Sequence, residues 1–287
     1  MLLNLVCNKK VTKSLYDSLI IFNHDSSTDK NLYLECTEYR LLVYLQNTTK
    51  DSLCMMTIEN DMFDSFQSKI SNMRIVISLN KFIKLIGNIM YLNQLTIKME
   101  NNQFIEFIGK TENLIIKRQK LNIINCDMNI LDEFNIPLSV TCTGNFTKIM
   151  EYIPKKGYIK FEINEHNIYF TTRDDDDNIT SINVNSSSQN FDQTKFNSNY
   201  YFCGDGYYIG YFENISTWYT KHEMKIHFSK NGMILFQFNI NDIVKITFIQ
   251  KKDETIPISK HFNSEFLIEN NEIINEVDNN EISEVHI

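Results

Sequence analysis

The feature that most constrains this chain is a unit of structure that recurs four times: a short amphipathic helix followed by two alternating strands. The first copy is NKKVTKSLYDSLI, then NLYLEC and LLVYLQ, with Val11, Leu15, Leu19 and Phe22 as its helical stripe. The second is SLNKFIKLIGNIM, then LTIKME and FIEFIG. Leu79, Phe82, Ile83, Ile86 and Met90 recur at the three- and four-residue spacing that places side chains on one helix face. Leu95, Ile97 and Met99 then alternate with Thr96, Lys98 and Glu100, the period of a half-buried strand. The third copy is TGNFTKIMEYIP, YIKFEIN and NIYFTT, with Phe146, Ile149, Met150 and Ile153 before Pro154 stops the helix. The fourth is GYFENISTWYT, MKIHFS and ILFQFNI, with Phe212, Ile215 and Tyr219 as the stripe. Reversals such as MENNQF, INEHNI and SKNGMI have the Asn and Gly content that tight turns need.

Further strands are predicted at DSLCMMTI, ENLIIKRQ, NITSINV and VKITFIQ. Short helices with antiparallel strands, repeated within each half, predict two similar α+β domains with their helices on one face of the sheet. A chain of 287 residues is long for one core and comfortable for two. The three prolines, Pro137, Pro154 and Pro257, act as punctuation. The reading is an N-terminal domain over 1–118, a connector over 119–137, a C-terminal domain over 138–252 and a tail over 253–287. The connector segment ILDEFNIP carries Ile130, Leu131, Phe134 and Ile136, much apolar surface for a linker.

Charge is unevenly divided. The tail holds nine acidic residues and one basic residue, Lys260, so it carries the whole net charge of −8 and leaves residues 1–252 neutral. With its Asn and Glu content and weak periodicity, the tail is expected to be mostly disordered. The helices differ from the rest of the body. Their polar positions hold Lys9, Lys10, Lys13 and Asp17; Lys81 and Lys84; Lys148, Glu151, Lys155 and Lys156; and Glu213 and Lys221, a surplus of +6 on one face of a neutral body. Such segregation concentrates positive potential as a phosphate backbone requires. No aromatic or Asn/Arg pairs suited to base reading interleave with these lysines, so such binding would be independent of sequence.

Other chemistry finds little support. Cys7, Cys36, Cys54, Cys126, Cys142 and Cys203 are scattered, without CxxC spacing or His partners, and read as reduced structural thiols. The run of aspartates at 174–177 reads as a solvated turn rather than a metal site, and Cys203 in FCGDGYY as a structural cysteine near a Gly turn. The six histidines show no HxxxH or HExxH spacing, and GxSxG and Walker patterns are absent, so neither an enzyme nor a cofactor or metal is expected. No apolar run approaches the ~18 residues of a membrane span, and MLLNLVCNKK is not built like a secretory segment. A cytosolic or nuclear location is the default expectation.

With the fourfold repeat, five local stretches resemble the sliding clamps of DNA replication, the proliferating cell nuclear antigen (PCNA) family: YLECTEYRLLVYL, ISLNKFIKLIGNI, LTIKMENNQFIEFI, DEFNIP and FQFNINDIVKITFIQ. The resemblance covers roughly residues 1–250. It implies a homotrimeric ring that encircles duplex DNA, with Lys9, Lys10, Lys13, Lys81, Lys84, Lys148, Lys155, Lys156 and Lys221 toward the DNA. It also implies a processivity factor for DNA replication and repair, placed on DNA by a clamp loader and closed through ENLIIKRQK of one subunit and NITSINV of the next. DNA polymerase and other clients would insert a short peptide into a pocket formed by Cys36, Leu41, Phe134, Ile136, Pro137, Met233 and Phe248, with backbone pairing near Gln250. Here Gln250-Lys251 replaces the family's usual Ala-Pro, Glu151 stands where a basic residue is common, and the fourth helix is nearly neutral. Two other readings remain on the same fold. One is a subunit of a heterotrimeric DNA-damage checkpoint clamp, the other a viral transcription or assembly factor that does not encircle DNA.

Overall fold

The computed structural model describes residues 1–23, 30–46, 52–69, 73–112, 114–124, 138–144, 157–163, 167–173, 179–185, 195–196, 202–208, 224–229 and 233–251. The chain divides into two compact units, the first made of Met1–Ile136 with Leu235–Gln250 and the second of the remainder. In the first, the described elements run β1 (Leu3–Asn8), α1 (Lys9–Phe22), β2 (Asn31–Cys36), β3 (Arg40–Gln46), β4 (Ser52–Glu59), β5 (Ser65–Ser68), β6 (Met73–Ser78), α2 (Leu79–Ile89), β7 (Gln94–Met99), β8 (Phe104–Thr111) and β9 (Leu114–Asn122). The second holds β10 (Leu138–Gly144), β11 (Tyr158–Ile163), β12 (Asn167–Arg173), β13 (Ile179–Asn185), β14 (Lys195–Phe196), β15 (Phe202–Tyr208) and β16 (Met224–Ser229). The last hairpin, β17 (Met233–Ile240) and β18 (Val244–Lys251), groups with the first unit from Leu235 to Gln250, because β18 pairs antiparallel with β4.

Two runs of strands build the first unit, in the orders β5-β1-β7-β8-β9 and β17-β18-β4-β3-β2-β6. Its helices form where the expected stripes lie. In α1 the side chain of Asn8 caps the first turn by accepting from the Val11 N–H at 3.0 Å, and Val11, Leu15, Leu19 and Phe22 are buried. Ser78 does the same for α2, accepting from the Lys81 N–H at 3.2 Å, and Leu79, Phe82, Ile83 and Ile86 are buried. Burying each such side chain contributes about 1.5–3 kcal/mol, which outweighs the modest helix propensity of the β-branched residues. The β17–β18 turn, residues 241–243, places Asn241 and Asp242 at φ of 53° and 56°, left-handed conformations that these two residue types tolerate. Asn241 Nδ2 then donates to Ser14 Oγ at 3.0 Å, fastening this late hairpin to α1.

In the second unit the described strands run β13-β12-β11-β15 and β14-β10-β16. Phe161 packs edge-on against Phe170 and Phe228, at centroid distances of 5.2 and 5.5 Å, and all three are buried. FCGDGYY differs from its expected turn. It forms β15, paired with β11 through a register shift between Ile159 and Phe161, because tertiary pairing overrides the turn preference of its glycines. The third and fourth predicted helices, the connector from 125 to 137, the aspartates at 174–177 and the tail from 252 onward lie outside the described residues.

Candidate nucleic-acid and partner interfaces

Helices α1 and α2 pack against one another in the first unit, and Gly87 lets them approach closely. A Cβ there would lie 2.9 Å from Cε2 of Tyr16, too near for any side chain without movement of the ring. With the apolar stripes turned inward, Lys9, Lys10 and Lys13 of α1 and Lys81 and Lys84 of α2 are all exposed. Lys9, Lys10 and Lys81 occupy first turns that contain no acidic residue. A cation there opposes the helix macrodipole at a cost of about 0.3–1 kcal/mol. These lysines therefore do not serve helix stability. They add full charges to the positive ends of two dipoles and raise the potential of the face they share. Asp17 is the acid on this face; burial raises its carboxyl above the ordinary range, and Lys13 one turn away pulls it down less strongly.

Five of the nine expected DNA-facing lysines are thus on one pair of adjacent helices, while Lys148, Lys155, Lys156 and Lys221 lie outside the described residues. Cys36, Leu41, Phe248 and Gln250 of the expected peptide pocket lie on one face of a sheet. Cys36 pairs with Leu41, Leu41 with Ile58 and Val43 with Met56, so their side chains share one face. Phe248, opposite Cys54, belongs to that face too. The other face carries a separate apolar cluster of Leu42, Tyr44, Leu53, Leu235 and Ile249, with Tyr33 and Met55 packed against it. Tyr33 and Tyr44 stack there at 5.3 Å, and the buried Glu35 pairs with Arg74 at 2.9 Å beside them.

Cys36, Leu41 and Phe248 thus share one face, and Leu42, Tyr44 and Ile249 the other, because successive residues of a strand turn to opposite faces. The alternation within LLVYLQ is the signal that separates the two sets. Burial pushes the Cys36 thiol up to about 12, with Glu35 adding to it, so Cys36 packs as a neutral group. Met233 is half-buried at the start of β17. Gln250 is buried in β18 opposite Ser52, and its Oε1 has no hydrogen-bond partner among the described residues. Phe134, Ile136 and Pro137 lie outside the described residues.

Two of the strands that end a sheet among the described residues expose aliphatic side chains. β9 leaves Leu114, Ile115 and Ile116 exposed at 67%, 54% and 51%, and β13 leaves Ile179 exposed at 45%. Three consecutive exposed aliphatic residues on an unpaired edge make a surface suited to association with another chain.

No family model and no curated protein matches the sequence. Solved structures do. The PCNA of Thermococcus kodakaraensis superposes with a TM-score of 0.66 at 13% identity, over 88% of this chain and 100% of that one. The A. fulgidus PCNA, in a structure with the C-terminal region of FEN-1 bound, gives 0.64 at 10% identity over 88% of this chain and 98% of that one. The PCNA2-PCNA3 complex of Sulfolobus tokodaii gives 0.66 at 13% identity over 86% and 98%. The chain has the PCNA-type clamp fold, with two α+β clamp domains.

Proposed function

We propose that the protein is a DNA sliding clamp, a non-enzymatic ring that encircles duplex DNA and tethers polymerase and other replication or repair proteins. The observation that carries this reading is the exposed set of Lys9, Lys10, Lys13, Lys81 and Lys84 on two adjacent helices of a clamp fold. A ring holds DNA by topology, so its phosphate contacts need only be loose and sequence-independent, which lysines on flexible stems supply. The edges of β9 and β13 would close a homotrimer by pairing between subunits, removing the exposed aliphatic edge. Client peptides would dock beside the connector residues Phe134, Ile136 and Pro137, and a loader would open the ring.

Reversal of Lys13, Lys81 and Lys84 to Glu tests the reading. Each lysine is exposed, so assembly is expected to persist, with the melting temperature moved by no more than a few degrees as Lys81→Glu suits the helix dipole and Lys13→Glu repels Asp17. Duplex affinity is expected to fall at least tenfold, with a flatter salt dependence, and stimulation of a polymerase to fall with it. Wild-type affinity and stimulation in this variant would remove α1 and α2 from the DNA face.

A further inference from the structure

The exposed strip of α2 continues past its lysines. Lys81, Lys84, Asn88 and Tyr91 follow at three- and four-residue spacing and are all exposed. Met90, the helix cap, keeps helical backbone angles, so at about 100° per residue the four side chains leave from one narrow strip. Tyr91 is 72% exposed, the highest value among the large hydrophobic side chains described.

The turn that carries it is nevertheless tied down by hydrogen bonds. Met90 N–H donates to the Ile86 carbonyl and Leu92 N–H to the Ile89 carbonyl, both at 2.8 Å, and Asn93 N–H donates to the Lys110 carbonyl at 3.0 Å. Leu92 seats on Gly109, where a Cβ would lie 2.6 Å from its Cδ1. Lys117 of β9 donates its Nζ to the Asn88 carbonyl at 3.2 Å, satisfying one of the last carbonyls of the helix and setting a cation at the dipole's negative end. An exposed tyrosine on so fixed a support can dock with little loss of conformational entropy. The strip beneath it carries the cations Lys81 and Lys84.

We infer that Tyr91 is a contact residue for duplex DNA, its phenol donating to a backbone phosphate oxygen and its ring covering the adjoining sugar, next to the phosphates met by Lys81 and Lys84. The inference rests on the clamp reading and adds a non-ionic contact to it. Phenol-to-phosphate contacts position a protein on the duplex without reading sequence, in keeping with sliding.

The two kinds of contact separate in a salt titration. Affinity of the full-length protein for a linear, fluorescein-labelled duplex of mixed sequence is measured by anisotropy across a range of salt concentrations, for wild type, Tyr91→Ala and Lys84→Gln. Lys84→Gln is expected to lower the slope of log affinity against log salt by about 0.9 for each phosphate that is no longer neutralised. Tyr91→Ala is expected to weaken binding about three- to tenfold at every salt concentration with the slope unchanged. Its exposure predicts a melting temperature equal to the wild type, so the weaker binding would not reflect unfolding. Wild-type affinity in Tyr91→Ala, with the slope change intact in Lys84→Gln, overturns the inference and leaves the clamp reading standing. A slope reduced by Tyr91→Ala also overturns it, since the effect would then run through the lysines. Absence of duplex binding by the wild type even at low salt overturns the inference together with the assignment of α1 and α2 to the DNA face, on which it rests.

Discussion

Asp17 shows at the scale of one residue how the basic face is balanced. Burial, the larger effect, holds its carboxyl above the ordinary range, and the neighbouring Lys13 only partly reverses this. A carboxyl with a higher pKa in the folded protein than in the unfolded chain costs stability at neutral pH. That cost shrinks as pH falls through the raised folded value and is gone below the unfolded one. Asp17→Asn is therefore expected to raise the melting temperature at pH 7 by about 1–2 °C, allowing for solvent screening, with the difference closing on acidification. Melts of the two proteins across acid and neutral pH check this; a lower melting temperature at neutral pH would show that the attraction to Lys13 dominates. The position of Asp17 on the helix is legible from spacing, but its burial is not. It depends on what packs beside α1, as does the contact of Gly87 with Tyr16, and neither contact leaves a periodic mark in the sequence.

At the scale of elements, the helices and long strands of the first unit are legible because each carries a full period of apolar residues. Leu79, Phe82, Ile83 and Ile86 define a face for α2, and Leu95, Ile97 and Met99 define one for β7. β5 leaves no such signal because four residues are too few to show a period. The glycines of β15 suggest a turn, whereas its pairing with β11 is nonlocal. The two faces of the sheet that carries Cys36, Leu41 and Phe248 are hard to tell apart for a related reason: Leu41 and Leu42 are equally apolar, and only the pairing of β3 with β2 and β4 tells which face each joins. The exposed edge of β9 carries its own prediction. Ile116→Asp puts a charge on a side chain already 51% exposed, so the subunit should remain folded by circular dichroism while the assembly dissociates on size exclusion. An assembly that survives this substitution would move the subunit contact away from β9.

At the scale of the whole molecule, the charge pattern and the fold bear on the same activity. The body formed by residues 1–252 is neutral, yet its helices are predicted to gather cations on one face, and five of those lysines are exposed on α1 and α2. Those five can surround DNA only if several copies of the chain turn the same face toward one axis. Encirclement of DNA would therefore depend on assembly. Light scattering on the purified full-length chain, coupled to size exclusion, tests it most directly. A mass three times the 33.9 kDa of one chain, stable across micromolar dilution, is the predicted result. A mass of 33.9 kDa throughout that range would contradict a homotrimeric clamp and favour a chain that needs different partners to close its ring.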